Sequence, residues 1–129
     1  QATIRRYGDG HVINGRKGYC TGSLYAHWLA VLALDEEQKG QLSFVPRGTP
    51  GLVIVDDWDS IGQRTTSSGT VLAEDLHVPA FNVFPTYRSY ESPTLAGPFA
   101  QLTTAAIDAG IARGAIDDAI EFVKTRARP

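Results

Sequence analysis

The sequence predicts a mainly β fold, an antiparallel barrel or sandwich, followed by one long α-helix of the kind found in helical bundles. Three observations carry this. From Gln1 to about Pro85, short β-branched or aromatic runs alternate with turn residues at the intervals of all-β domains. From Thr94 to Arg126 the apolar residues recur three and four apart instead. Over 129 residues, 43% hydrophobic and 20% charged is the makeup of an ordered globular chain with material for one modest core.

The expected strands are Thr3–Tyr7, His11–Ile13, Arg16–Thr21, Trp28–Leu34, Leu42–Pro46, Leu52–Asp56, Thr70–Glu74 and Phe81–Phe84. Their punctuation is Gly8-Asp9-Gly10, Asn14-Gly15, Gly48-Thr49-Pro50-Gly51 and Ser67-Ser68-Gly69. Asn14-Gly15 is the strongest short hairpin signal, because a type I′ turn needs positive φ at both central residues. Trp28–Leu34 is nearly all apolar and reads as a strand covered on both faces. Asp35 to Gly40 reads as an exposed loop.

Residues 86–93 form a connector, and the helix occupies 94–129. Leu95, Phe99, Leu102, Ala106 and Ala109 make one apolar row; Ile107, Ile111, Ala115, Ala119 and Val123 make a second. Two rows predict burial on more than one face. Thr94 is the candidate N-cap, with Pro98 close to the first turn. Gly97, Gly110 and Gly114 each cost about 1 kcal/mol of helix propensity relative to Ala, which close helix packing offsets. Thirty-three helical residues run roughly 50 Å, longer than the β region is wide. The far half therefore needs helices from elsewhere in the protein or from another subunit. Together with the absence of any methionine, this suggests that the chain is a piece of a longer protein.

Lys and Arg total 12 against 14 Asp and Glu, a net charge of −2, so no global positive field draws nucleic acid or an anionic membrane. No apolar run approaches the roughly 18 residues of a membrane span. A single cysteine, Cys20, excludes an internal disulfide and suits a reducing compartment, and the chain reads as cytoplasmic.

Four segments in register carry a family resemblance. They are Gly10-His11-Val12-Ile13-Asn14-Gly15-Arg16-Lys17-Gly18-Tyr19-Cys20-Thr21-Gly22; Pro46-Arg47-Gly48-Thr49-Pro50-Gly51; Gly62 to Thr70; and Asp75-Leu76-His77-Val78-Pro79. In order and spacing they resemble the middle domain of the acyl-CoA dehydrogenase family. The helix, with Gly110-Ile111-Ala112 and Phe122 to Arg126, resembles the first helix of that family's C-terminal domain. Tyr19-Cys20-Thr21, Ala26-His27-Trp28 and Asp56-Asp57-Trp58-Asp59-Ser60 look most like the branch of flavin-dependent sulfur-acquisition and desulfurisation monooxygenases.

The resemblance implies a β domain over 1–85 that binds flavin, FMN or FAD, with no metal. It implies a small-molecule substrate, a separate flavin reductase if the protein is a monooxygenase, and a homo-oligomer, dimer or tetramer. Tyr19 and Thr21 are two apart, which on a strand puts them on one face. The resemblance has that pair meet the flavin, the aromatic on the ring and the hydroxyl near N5. A flat apolar ring is well served by an aromatic wall and a few placed polar groups. The family commonly has Trp where Tyr19 stands. Arg126 matches the arginine that reaches the flavin phosphate of a neighbouring subunit; Arg128 follows it closely. No catalytic residue is expected within these 129 positions.

Plainer readings apply elsewhere. Cys20, pointing opposite to Tyr19 and Thr21 on a strand, is a small hydrophobe. His11, His27 and His77 have no metal-ligand spacing. Asp56-Asp57-x-Asp59 lacks the remaining ligands of a calcium loop and reads as a solvated turn. The hydroxyl-rich Gly62–Gly69 segment is a strand connection, with anion binding through backbone N–H groups as its functional alternative. Gln101 stands where dehydrogenases of the family often carry Arg, which favours oxygenation over dehydrogenation. The rival readings are an acyl-CoA dehydrogenase that oxidises an acyl thioester with FAD, and a non-enzymatic β-domain assembly module.

Overall fold

The structure is a computed structural model that describes residues 1–126. It divides into two compact units, Gln1–Glu91 and Ser92–Pro129. In the first, seven strands form one sheet: β1 (Ala2–Tyr7), β2 (Gly10–Lys17), β3 (Trp28–Leu34), β4 (Gly40–Pro46), β5 (Leu52–Val55), β6 (Thr70–Pro79) and β7 (Val83–Phe84). Their spatial order is β5-β6-β2-β1-β3-β4-β7. All neighbours run antiparallel except β1 and β3, which meet in parallel at Thr3 and Leu34. The sheet is therefore mixed. The ten residues 18–27 carry the chain from β2 past β1, and it enters β3 along the direction of β1.

Alternation builds the core. Ala2 and Ile4, Leu29, Val31 and Ala33, Val45, and Val71 and Ala73 fall two apart on their strands and gather with Ile13, Leu76 and Val78 into one cluster. Residues from both halves of the strand order share that cluster, so the sheet curls over its own inner face.

Three local expectations change. Asn14-Gly15 is not a hairpin turn; it lies inside β2, and the β1–β2 hairpin closes at Gly8-Asp9 between the paired Tyr7 and Gly10. On the other side of β2 the register with β6 slips, Ile13 facing Leu76 and Gly15 facing Ala73, so Glu74 and Asp75 bulge opposite Asn14. The Asn14 amide donates to Asp75 Oδ1 at 3.0 Å and its Oδ1 accepts the Asp75 N–H at 2.7 Å. Gly15 sits at φ 136°, where a Cβ would stand 2.5 Å from Gln1 O and 2.6 Å from Ala2 Cα. The dipeptide is there for a bulge partner and a close backbone approach.

Strand β3 is covered on one face, not two. Leu29, Val31 and Ala33 are buried, whereas Trp28 and Leu32 are exposed, alongside Phe44 and Phe84. Phe44 and Phe84 meet edge to face at 5.6 Å, which partly shields that outer apolar row. The run expected to continue to Thr21 ends at Lys17.

In the second unit, α1 spans Ala96–Thr125. The N-cap position is Leu95, one residue later than the expected Thr94, whose hydroxyl still accepts the Ala96 N–H at 3.2 Å; Pro98 falls in the first turn, where its missing N–H costs little. Thirty residues give a rod of about 45 Å. None of its residues is buried. Phe99, Ile107, Ile111 and Val123 of the two predicted rows are exposed. Among the described residues no helix is long and apolar enough to cross a membrane.

Candidate functional site

Residues 18–27 form the centre of the site, and they are a loop. Tyr19 has φ 56°, so it and Thr21 are not strand neighbours, and the alternation argument for the pair fails. The two side chains nonetheless line one depression of about 370 Å³, with Cys20, Ser23 and Trp28. Cys20 thus shares the depression instead of facing away. Burial pushes its thiol up, keeping it protonated at neutral pH and unsuited to nucleophilic work.

Backbone bonds fix this loop. Cys20 N–H donates to Gly69 O at 3.0 Å and Gly22 N–H to Thr66 O at 2.8 Å, which docks it on the segment before β6. Arg47 clamps its far end: Nε donates to Ala26 O at 2.9 Å, the guanidinium also reaches Ser23 O, and the Arg47 N–H donates to His27 O at 2.8 Å. Sequence reasoning placed Arg47 within a motif but gave it no task; a long-range clamp leaves no local pattern.

Tyr19 is 83% exposed and Trp28 57%, an unusual presentation of aromatic surface beside one concavity. Tyr19 leans edge-on against Trp58 at 6.1 Å. Trp58 is held in turn, its indole N–H donating to Gln63 O at 2.9 Å. On the polar side, Thr21 Oγ1 lies 2.9 Å from Ser68 Oγ, which lies 2.8 Å from Thr66 Oγ1, which donates to Gln63 O at 2.8 Å. One carbonyl, on a residue at φ 51°, therefore anchors both the aromatic wall and a row of hydroxyls. The segment Gly62–Gly69, expected as a hydrogen-bonded strand connection, meets the 18–27 loop through the Gly69 and Thr66 carbonyls and through the Ser68 hydroxyl. The Ser23 hydroxyl, also lining the depression, is buried without a partner.

Asp57 is more than a solvated turn. Its Oδ1 accepts the Thr70 N–H at 2.7 Å, and Arg16 approaches Oδ2 at 3.6 Å. Hydrogen bonds from the Thr70 hydroxyl and backbone N–H hold its carboxyl below the usual range. The folded value lies below the unfolded one, so this contribution is present at neutral pH and is lost as pH falls through roughly 4 and below. Asp57→Asn is expected to lower the melting temperature at pH 7 and to converge on the unaltered protein only as acid protonates the depressed Asp57 carboxyl, as thermal melts across pH would register.

Asp59 pairs with Arg64 at 3.0 Å, and His77 packs edge-on against Tyr7 at 5.2 Å. Among the described residues no three His, Cys, Asp or Glu side chains gather as metal ligands. Arg126 caps the end of α1, its N–H donating to Phe122 O at 2.9 Å, in a different unit from Tyr19 and Thr21. Arg128 lies outside the described residues.

On this curled β sheet a largely apolar depression is flanked by exposed Tyr19 and Trp28 and lined by Thr21. Residues 1–76 match the acyl-CoA dehydrogenase middle domain, and the chain belongs to that family. Within it, the chain is 33% identical, over 93% of its length, to dibenzothiophene monooxygenase of Rhodococcus erythropolis, of which it spans 32%. It is also 32% identical, over 92% of its length, to the probable acyl-CoA dehydrogenase YngJ of Bacillus subtilis, spanning 33% of that protein. Among solved structures, the dibenzothiophene monooxygenase TdsC of Paenibacillus sp. A11-2, solved also with FMN and indole, superposes with a TM-score of 0.79 at 29% identity, covering 99% of this chain and 36% of that one. The chain spans about a third of the length of these relatives.

Proposed function

We propose that residues 1–85 are the flavin-facing β domain, 86–93 a connector and 94–129 the first bundle helix of a reduced-flavin-dependent monooxygenase acting on organosulfur compounds. The observation that carries this reading is the depression flanked by exposed Tyr19 and lined by Thr21, in a chain akin to a dibenzothiophene monooxygenase. The residues fit the group: a flat ring gains an aromatic wall from Tyr19, a hydroxyl from Thr21 and an unpartnered buried hydroxyl from Ser23.

A bound reduced flavin would supply two electrons to O₂, one oxygen atom passing to the substrate sulfur and the other leaving as water. Tyr19 holds the ring and keeps water from it, Trp58 braces Tyr19, and Thr21 bonds at the N5 edge. Arg126 binds the flavin phosphate of a neighbouring subunit, in a homo-oligomer supplied with reduced FMN by a separate reductase. FMN is favoured over FAD by the FMN complex of TdsC.

Anaerobic titration of the full-length protein with reduced FMN tests the reading. Thr21→Val keeps the side-chain shape and removes the hydroxyl, and affinity is expected to fall roughly threefold to tenfold. Unchanged affinity removes Thr21 from the site. The kinship with a probable acyl-CoA dehydrogenase favours a second reading, FAD-dependent dehydrogenation of an acyl thioester. Reductase-dependent oxygen uptake with an organosulfur substrate supports the first, and bleaching of bound flavin by an acyl-CoA supports the second.

A further inference from the structure

The row of hydroxyls running inward from Thr21 has a forced polarity. Each hydroxyl has one proton to give, and a carbonyl oxygen can only accept. Thr66 spends its proton on Gln63 O. The 2.8 Å contact between Thr66 and Ser68 must then be donated by Ser68. With the Ser68 proton committed, the 2.9 Å contact between Ser68 and Thr21 must be donated by Thr21. Thr21, at the exposed end of the row, is left with lone pairs alone to offer the depression.

We infer that Ser68 and Thr66 are positioning residues that make Thr21 an obligate hydrogen-bond acceptor, so that the site prefers reduced flavin over oxidised flavin. The inference rests on the flavin reading given above. Reduced flavin carries an N–H at N5 and can donate to Thr21; oxidised flavin presents a bare N5 acceptor, and two acceptors facing each other repel. A hydroxyl free to rotate would serve both states equally. Discrimination therefore resides in a residue that need not touch the flavin, Ser68, and in the carbonyl of Gln63 that terminates the row.

The same carbonyl receives the Trp58 indole N–H, so the polarity of the row and the stance of the Tyr19 wall depend on one backbone position. Gln63 and Ser67 both adopt positive φ, at 51° and 48°, and bracket the short 3-10 turn Arg64–Thr66. This turn aims the Gln63 carbonyl back at Thr66.

The test is the ratio of affinities for oxidised and reduced FMN, measured anaerobically on the full-length protein. The unaltered protein is expected to bind reduced FMN more tightly. Ser68→Ala frees the Thr21 proton, and Thr66→Val frees it indirectly by letting Ser68 turn toward Thr21. Each variant is expected to shrink the ratio roughly threefold to tenfold, while Thr66→Ser, which keeps the hydroxyl, retains it. For the bound two-electron couple, a tenfold change appears as a midpoint potential about 30 mV more negative. A merely structural role would weaken both redox states together. Equal affinity for the two states in the unaltered protein, or an unchanged ratio in both hydroxyl-deleting variants, overturns the inference and leaves flavin binding standing. Failure of the unaltered protein to bind FMN in either state overturns the flavin reading and the relay with it.

Discussion

Leu76→Ala is expected to destabilise the protein by about 3 kcal/mol, within the range for emptying a buried leucine site. Leu76 is 0% exposed and pairs across the sheet with Ile13, also 0% exposed. Strands β6 and β2 lie inside the strand order with neighbours on both edges, so neither can shift inward without breaking a ladder. The void would thus remain largely open, and the loss would combine transfer and cavity costs. Val53, on edge strand β5 and 41% exposed, is the control: Val53→Ala removes surface that water already reaches, and is expected to cost under about 1 kcal/mol. Equilibrium urea unfolding of the two variants measures the difference.

The β architecture was legible because period-2 alternation survives in most strands, and the helix because its 3.6-residue period persists for eight turns. Errors arose where one dipeptide satisfies two different geometries. Asn14-Gly15 has the residues of a hairpin turn, yet Asn14 is needed to bridge the Asp75 bulge and Gly15 to admit the backbone of Gln1 and Ala2. Both partners are non-adjacent, and nothing local distinguishes them from a turn. The reading of β3 failed for a related reason: an apolar outer row marks a surface suited to cover, and composition does not say whether the same unit supplies it.

At the site, the sequence placed Tyr19 and Thr21 together through the wrong structure. The positive φ of Tyr19 breaks the strand, and docking of residues 18–27 on Gly69 and Thr66 then restores the proximity that alternation seemed to supply. The missed residues, Arg47, Trp58, Gln63 and Ser68, act through backbone carbonyls or through other side chains. Such roles depend on where two distant segments meet. The hydroxyl-rich composition of 62–69 signals polar contacts there, but the direction of each hydrogen bond is set by the Gln63 carbonyl that ends the row.

Gly51→Ala is expected to cost about 3 kcal/mol and Gly48→Ala about 1 kcal/mol, although the two glycines share one turn and nearly one conformation, φ 85° and 83°. A left-handed backbone penalises any Cβ at both positions. Space separates them. A Cβ on Gly48 meets nothing within 4 Å, whereas one on Gly51 stands 2.5 Å from Glu74 O and 3.0 Å from Leu76 Cα. These obstacles are backbone of β6 at its bulge, which Asn14 pins from the opposite side through Asp75. Gly51 O also accepts the Glu74 N–H at 2.8 Å, so displacement of Gly51 breaks a bond as well as straining one. β5 pairs with β6 alone, through Leu52 to Val55, and the segment that hangs between those strands carries Asp57, Trp58, Gln63, Thr66 and Ser68. Prising β5 from β6 should therefore loosen the aromatic brace and the hydroxyl row together. Thermal melts and reduced-FMN titrations of both variants distinguish this from general turn strain: Gly51→Ala should lose stability and flavin affinity, Gly48→Ala a little stability alone. Equal losses in the two would mean that backbone conformation, not the close approach to the bulge, sets the requirement at Gly51.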